Sequence, residues 1–350
     1  MKAPKGNESM RSSSHMISHH RINQAQSDIK LGVQEAVGRL DVAAARIVGY
    51  HFGWCDENGI RVHAGGGRHR AGLLALLCAA ADGADWRPAL PAAVACELAS
   101  NAATMQDDII DGDTVRRGRR AAWSVFGVDR ALLACTAMNS LAMEILTLQR
   151  RMDAAVAVRK LSQTLVKLNV AQLQDIDFER RSDVSLAEYL QMVDGKACAT
   201  FSCPCVLGAM FTGVRGVDGL AAFGSELGLI WQLRNDLLGI WGEPEQTGKP
   251  ALADLEKRKK TFPVIVALEA AGPDRDELAD LLGQGSGLLG AEQTARAAVL
   301  IERCGGLART RREIEVRLEA AIAPLGRFMR DDTARADIIS LARFFAESTR

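Results

Sequence analysis

The chain has 350 residues, 48% hydrophobic and 25% charged, enough to bury a full core as one large domain. Lysine plus arginine and aspartate plus glutamate both total 43, so no overall basic field points to nucleic acid or an anionic membrane as the main partner. Any anion-binding site must be local.

Residues 1–26 are rich in Ser, His, Asn and Lys and hold no apolar stretch long enough for a signal peptide or membrane anchor. A disordered tail is expected there, followed by a single domain over 27–350. From Asp28 onward the apolar period is helical: Ile29, Val33, Val37, Leu40, then Ala44, Ile47 and Val48. Further helices are predicted over 69–82, 90–112, 129–150, 153–178, 186–213, 217–241, 260–271, 291–303, 305–324 and 332–347. Alternating strand pattern is nearly absent, and charges interrupt every run before the ~18 apolar residues a spanning helix needs. Stretches such as Ala131-Leu132-Leu133-Ala134-Cys135 and Val206-Leu207-Gly208-Ala209-Met210-Phe211 are apolar most of the way round, which marks helices enclosed by other helices. The predicted fold class is all-α, a large helical bundle around a central cavity, with loops at 65–67, 112–120, 242–250 and 283–290.

Eight cysteines (Cys55, Cys78, Cys96, Cys135, Cys198, Cys203, Cys205 and Cys304) lie mostly within apolar helical pattern, without the CxxC pairs or nearby histidines of a zinc site. They read as reduced thiols of a cytoplasmic protein. Cys203-Pro204-Cys205 reads as a helix kink and is assigned no chemistry.

The strongest chemical signal is Asp107-Asp108-Ile109-Ile110-Asp111, ending an otherwise apolar helix. Asp107 and Asp111 lie one turn apart on the same face, where two carboxylates repel unless a cation sits between them. Oxygen ligands with room for water suit magnesium. Four arginines follow in Arg116-Arg117-Gly118-Arg119-Arg120, and a diphosphate is the ligand that uses both features, bridging metal ions while guanidinium forks take the remaining charge.

This arrangement resembles the trans-isoprenyl diphosphate synthases, or polyprenyl synthetases, over about residues 60 to 270. The family's DDxxD and RRG motifs correspond to Asp107 to Asp111 and Arg116-Arg117-Gly118. Its later lysine helix corresponds to Asp194-Gly195-Lys196 with Thr200. A GQxxD-like element stands at Ala171-Gln172-Leu173-Gln174-Asp175, and the segment past the second metal motif at Thr247-Gly248-Lys249-Pro250 through Asp254 to Lys259-Lys260-Thr261-Phe262-Pro263. The resemblance implies the isoprenoid synthase fold, a homodimer, and a prenyl diphosphate ionised with Mg2+. It implies Asp107, Asp108, Asp111, Arg116 and Lys196 as catalytic residues. The substrate-binding set would be Arg68, Arg70, Arg117, Lys196, Thr200, Gln232, Lys249 and Lys259.

Two departures bear on function. The second DDxxD is replaced by Asn235-Asp236-Leu237-Leu238-Gly239-Ile240-Trp241-Gly242-Glu243, in which residues 235, 239 and 243 share a helical face. It is similar to the NDxxSxxxE motif of class I terpene cyclases, with Asn235 and Glu243 joining Asp107, Asp108 and Asp111 as metal ligands and water in the space left by Gly239. At the second substrate site the family's GGKRxRP reads Gly65-Gly66-Gly67-Arg68-His69-Arg70-Ala71, and Ser100 stands where a histidine belongs. Each lost charged hydrogen bond costs about 1.5–3 kcal/mol, with partial compensation expected from His69 or Arg68. By the same resemblance, small Ala102 and Ala103 before the first motif imply a pocket for long chains, and Trp231, Phe201 and Trp123 are candidates for stabilising a carbocation.

The expected activity is therefore a class I terpene cyclase acting on an allylic diphosphate of fifteen to twenty or more carbons. Chain elongation with isopentenyl diphosphate is the alternative, and a non-catalytic regulatory subunit of such a synthase the second alternative.

Overall fold

The computed structural model describes residues 8–62, 67, 69–148, 154–181, 183–243, 251–283 and 287–347, with residues 8–20 described by backbone only. Apart from one two-stranded hairpin and an isolated bridge, the described secondary structure is helical, as the periodicity predicts. Helix α1 (Glu8–Val37) begins inside the segment expected to be a tail. Its Ala25, Ile29 and Val33, four residues apart, are fully buried, and Arg21 reaches Asp337 at 3.4 Å. One apolar residue per turn is enough to seat a helix flanked by polar sequence, so packing extends back across the predicted boundary.

Helix α2 (Val42–His51) starts at Asp41, whose carboxylate accepts the Ala44 N–H at 2.7 Å. Helix α3 (Arg70–Ala79) is buried from Ala71 to Ala79 and runs through the centre of the molecule. Helix α4 (Leu90–Ile110) is rich in alanine, so α3 and α6 (Val128–Thr147) approach it closely. Between them, the predicted loop 112–120 forms a hairpin of β1 (Val115–Arg116) and β2 (Arg119–Arg120), followed by short α5 (Ala122–Phe126). Both turn residues, Arg117 (φ 54) and Gly118 (φ 72), are left-handed, the backbone a tight two-residue hairpin requires.

After α7 (Ala154–Phe178) the predicted helix 186–213 is three pieces on one axis: α8 (Leu186–Val193), a π-helical turn (Asp194–Cys198) and α9 (Ala199–Thr212). Ser185 and Glu188 close a reciprocal capping box at the start of α8. Helix α10 (Val217–Trp241) packs along α9, and short α11 (Ala253–Glu256) follows it. The chain ends with α12 (Phe262–Leu268), α13 (Pro273–Gly283), α14 (Ala291–Arg303), α15 (Gly306–Ile322) and α16 (Asp332–Glu347). The sequence reading passes over α13, because its acidic first turn masks Leu278 and Leu282, the residues it buries.

Helices α3, α4, α7, α9 and α10 surround a cavity. Among the described residues no helix is long and apolar enough to cross a membrane. All eight cysteines are free thiols, and only Cys304 is partly exposed.

The tightest crossing in this wall is α3 against α9. A Cβ built on Gly208 would overlap the Ala75 carbonyl and lie 2.8 Å from the Ala75 Cα. Gly208→Ala should therefore destabilise the fold by about 1–3 kcal/mol, because backbone rather than a flexible side chain must move. A midpoint of thermal unfolding equal to that of the unaltered protein would contradict this.

Candidate active site

Each helix around the cavity contributes a stripe at helical spacing. Helix α4 presents Cys96, Ala99, Ser100, Ala103, Thr104, Asp107 and Ile110, and α7 presents Leu161, Thr164, Leu165, Leu168, Asn169 and Gln172. The stripes are small and apolar over most of their length and turn polar at one end. There Asp107, Gln172, Lys196, Gln232 and Asn235 line the wall of a cavity of about 230 Å³.

At this polar end, lysines are held between carboxylates. The Lys196 ammonium lies 2.5 Å from an oxygen of Asp175 and 3.3 Å from Asp107 Oδ1. Burial works against its charge, but Asp107 and Asp175 outweigh burial and raise Lys196 above the ordinary lysine range. Lys259 Nζ lies 2.8 Å from Asp111, and burial is again overcome, here by Asp111 and Asp254. Lys257 donates to the Asp111 carbonyl at 2.7 Å. Two residues that the sequence reading left without a role, Asp175 and Lys257, thus belong to this cluster. The signal for Asp175 was present in the Gln172 to Asp175 element.

The adjacent residues of each motif, Asp107-Asp108 and Asn235-Asp236, face different ways, because neighbours on a helix are about 100° apart. Asp107 faces the cavity. Asp108 is fully buried and its Oδ1 accepts from Arg116 on the hairpin, with burial raising its pKa against that bond. Asp236 is likewise buried: it accepts from the Tyr189 hydroxyl at 2.6 Å, the Phe262 N–H at 2.7 Å and Gln232 Nε2 at 2.8 Å, and burial pushes it up to about 7. Asp108 and Arg116, expected in the catalytic set, pair with one another and are not among the residues that line the cavity. Desolvation favours this, since a buried carboxylate must find donors.

The residues of the NDxxSxxxE-like pattern are placed differently from one another. Asn235 lines the cavity, but Glu243 is exposed beyond the end of α10 and does not line it. The space beside Gly239 is not open to water: a Cβ at 239 would lie 2.5 Å from Cγ of Asp254 and overlap one of its oxygens.

A second cationic group meets the same cavity. Arg70 lies over the Trp231 ring at 3.9 Å from its centroid, and burial lowers its pKa to about 10. Arg117 donates to Asn101 Oδ1 at 3.0 Å, and its guanidinium carbon would lie 3.0 Å from a Cβ at Gly67. A side chain at 67 would press on the Arg117 guanidinium, which would have to give by a few tenths of an ångström. His69 is buried with Nδ1 3.3 Å from Glu97, which turns it away from the compensating role expected of it. Thr200 lines the cavity while its hydroxyl donates to the Ala197 carbonyl at 2.8 Å. Arg68 and Lys249 lie outside the described residues. Of the aromatics, Phe201 and Trp231 line the cavity, whereas Trp123 donates to the Asp113 carbonyl at 2.8 Å and does not.

A divalent cation of the magnesium type fits these donors in kind, since Asp107, Asp111, Asp175 and Asn235 offer hard oxygens. Among the described residues no three carboxylates, imidazoles or thiols converge closely enough to enclose a metal ion alone. Water and ligand oxygens would have to complete the shell, as is usual for magnesium on phosphates.

Comparison with known proteins agrees with this geometry. Over 325 residues the chain is 35% identical to geranylgeranyl diphosphate synthase of Mycobacterium tuberculosis, covering 92% of this chain and 91% of that protein. It is 37% identical over 319 residues to (2E,6E)-farnesyl diphosphate synthase of Mycobacterium bovis, covering 90% and 89%. The crystal structure of polyprenyl synthetase from Streptomyces coelicolor A3(2) superposes with a TM-score of 0.85 at 35% identity, over 92% of this chain and 98% of that one. A sequence model of the polyprenyl synthetase family matches residues 54–298, and the chain belongs to that family.

Proposed function

We propose that the chain is a chain-elongating prenyl diphosphate synthase, joining isopentenyl diphosphate to an allylic diphosphate. The observation that carries this reading is that cationic groups meet one apolar cavity in two separate places. Lys196, beside Asp107 and Asp175, and Arg70, over Trp231, both line its wall, while Lys259 on Asp111 and Arg117 on Asn101 stand outside that wall. A cyclase binds one diphosphate and needs one such group; condensation binds two. The relatives, named as geranylgeranyl and farnesyl diphosphate synthases, support the same ranking.

This reverses the order expected from the sequence, in which a cyclase came first. That order rested on a lost lysine and histidine at the second site and on the NDxxSxxxE pattern. The Arg117 guanidinium packs against position 67, and Glu243 is not among the residues lining the cavity. The π-face of Trp231, a candidate for stabilising a carbocation, is taken by Arg70.

In this reading Asp107 and Asp111 would hold Mg2+ on the α4 side and Asn235 on the α10 side, and the cation would stabilise charge developing on the departing diphosphate. Lys196 and Lys259 add fixed positive charge in a partly water-excluded site, where it is worth more than at a surface. Arg70 and Arg117 hold the second diphosphate. The apolar stripes of α4 and α7 receive the growing chain, with Ala103 leaving room beside Asp107.

With Mg2+ and an allylic diphosphate of ten, fifteen or twenty carbons, addition of isopentenyl diphosphate should yield products longer by multiples of five carbons, read by mass spectrometry after dephosphorylation. A cyclic hydrocarbon formed from one prenyl diphosphate, indifferent to isopentenyl diphosphate, would overturn the proposal. Asp107→Asn should lower turnover by about a hundredfold or more with the fold intact. Asp236→Ala should instead remove about 2–4 kcal/mol of stability by leaving the Tyr189 hydroxyl and Phe262 N–H without their acceptor, measurable by urea unfolding. Ala103→Phe should shorten the main product, and an unchanged product length would place the growing chain elsewhere.

A further inference from the structure

We propose that His69 and Asn101 are positioning residues for the second diphosphate. Both dock on the buried carboxylate of Glu97, and through it they fix where Arg70 and Arg117 stand. The inference rests on the proposed function for the identity of that ligand and concerns which residues hold its two arginines in place.

The anchor is Glu97 on α4, one turn before Asn101 and only 4% exposed. A carboxylate so buried must find donors. It accepts the Gly72 N–H from the first turn of α3 at 3.2 Å and the Asn101 amide at 3.0 Å, and His69 Nδ1 lies 3.3 Å from its Oε1. Burial works against its charge, but the His69 imidazole, the Gly72 N–H and the Asn101 amide outweigh burial and hold its pKa below the ordinary glutamate value. Glu97 is therefore an anion enclosed in protein.

Each arginine is tied to this anion by one arm. On the first, His69 starts α3 in left-handed backbone (φ 48, ψ 46), its carbonyl accepting the Leu73 N–H at 2.8 Å while its side chain takes no part in the cap. Such backbone is disfavoured for a residue with a Cβ, and the buried imidazole seated against Glu97 is what holds it. Arg70 is the next residue, so the turn at 69 sets where its guanidinium meets the Trp231 ring. On the second arm, the Asn101 amide nitrogen donates to Glu97 and its oxygen accepts from Arg117 Nη2 at 3.0 Å. Only a side chain with both a donor and an acceptor can bridge an anion and a cation in this way.

The same anchor relieves an electrostatic conflict. Arg117 acts on Arg70 as a like charge, whereas Glu97 supports the charge of both. An enclosed carboxylate thus lets two guanidinium groups stand near one another before a ligand arrives. With glycine at 67 and serine at 100, where the family has a lysine and a histidine, more of the binding falls to the arginines. His69 itself falls at the unspecified position of the loop motif.

The test is calorimetric titration of the whole protein with inorganic diphosphate in EDTA, with thermal unfolding of each variant as the check on folding. EDTA removes divalent cations, so the carboxylate end of the cavity repels the ligand and the arginines are read alone. No turnover is needed, so the product analysis above can fail without affecting the result, and the converse holds. Arg70→Gln should abolish the signal. His69→Gly leaves the left-handed turn free to form without the imidazole and should weaken binding by about tenfold. Asn101→Ala, which cuts the arm to Arg117, should weaken it by about as much. His69→Asn tolerates the same backbone and carries an amide nitrogen as many bonds from the chain as Nδ1, so it should bind within about threefold of the unaltered protein. In turnover, His69→Gly should raise KM for isopentenyl diphosphate by about tenfold, with kcat and KM for the allylic substrate within about twofold. A lowered unfolding midpoint with unchanged diphosphate affinity in His69→Gly or Asn101→Ala would overturn the proposal, since those residues would then serve folding alone. So would a signal that survives Arg70→Gln, no binding by the unaltered protein, or His69→Asn binding no better than His69→Gly.

Discussion

The rest of the site depends on the need to keep charge paired where water is scarce. Lys196 sits between Asp107 on α4 and Asp175 on α7, and Lys259 sits on Asp111. Removing one partner of such a partly buried pair leaves the survivor uncompensated, at a cost below the ~3–5 kcal/mol of a fully buried one. The pairing therefore binds α4, α7, the π-helical turn and the α11 segment into one frame before any ligand arrives. An incoming diphosphate with its cations can exchange partners with these groups while the total charge stays balanced.

The acidic pairs divide two tasks between adjacent residues. Asp107 and Asn235 face the cavity, while Asp108 and Asp236 face inward and are held by Arg116 and by Tyr189 with Phe262. Because neighbouring side chains diverge by about 100°, fixing the inward residue also fixes the rotation of the outward one. Helix orientation and ligand geometry are thus set by the same dipeptide. This explains why Asp236 stands unaltered in a motif whose first and last positions, Asn235 and Gly239, depart from the family's aspartates.

The long amphipathic helices and the first acidic motif were legible because periodicity and a same-face pair are local properties. The π-helical turn was not: inserting one residue into a turn leaves the apolar pattern almost unchanged, yet Lys196 sits on it. The hairpin escaped because its four strand residues are too few to show alternation. The two glycine substitutions were the most misleading features. A sequence records that a side chain is gone from Gly67 and Gly239. It does not record that Arg117 packs against position 67 or that Asp254, distant in number, fills the space beside 239.

Arg258 holds a backbone conformation that costs most side chains about 1 kcal/mol or more, and glycine would adopt it freely. What the arginine supplies in return is a tether: its guanidinium donates to the carbonyls of Leu281 and Leu282 at 3.0 and 2.9 Å and to that of Gly287 at 3.0 Å. The segment bearing Asp254 and Lys259 is thereby moored to the end of α13, none of whose residues lines the cavity. Sequence drift in that outlying helix would be felt as a change in the reach of Lys259, so a region that contacts no ligand inherits a constraint from the chemistry.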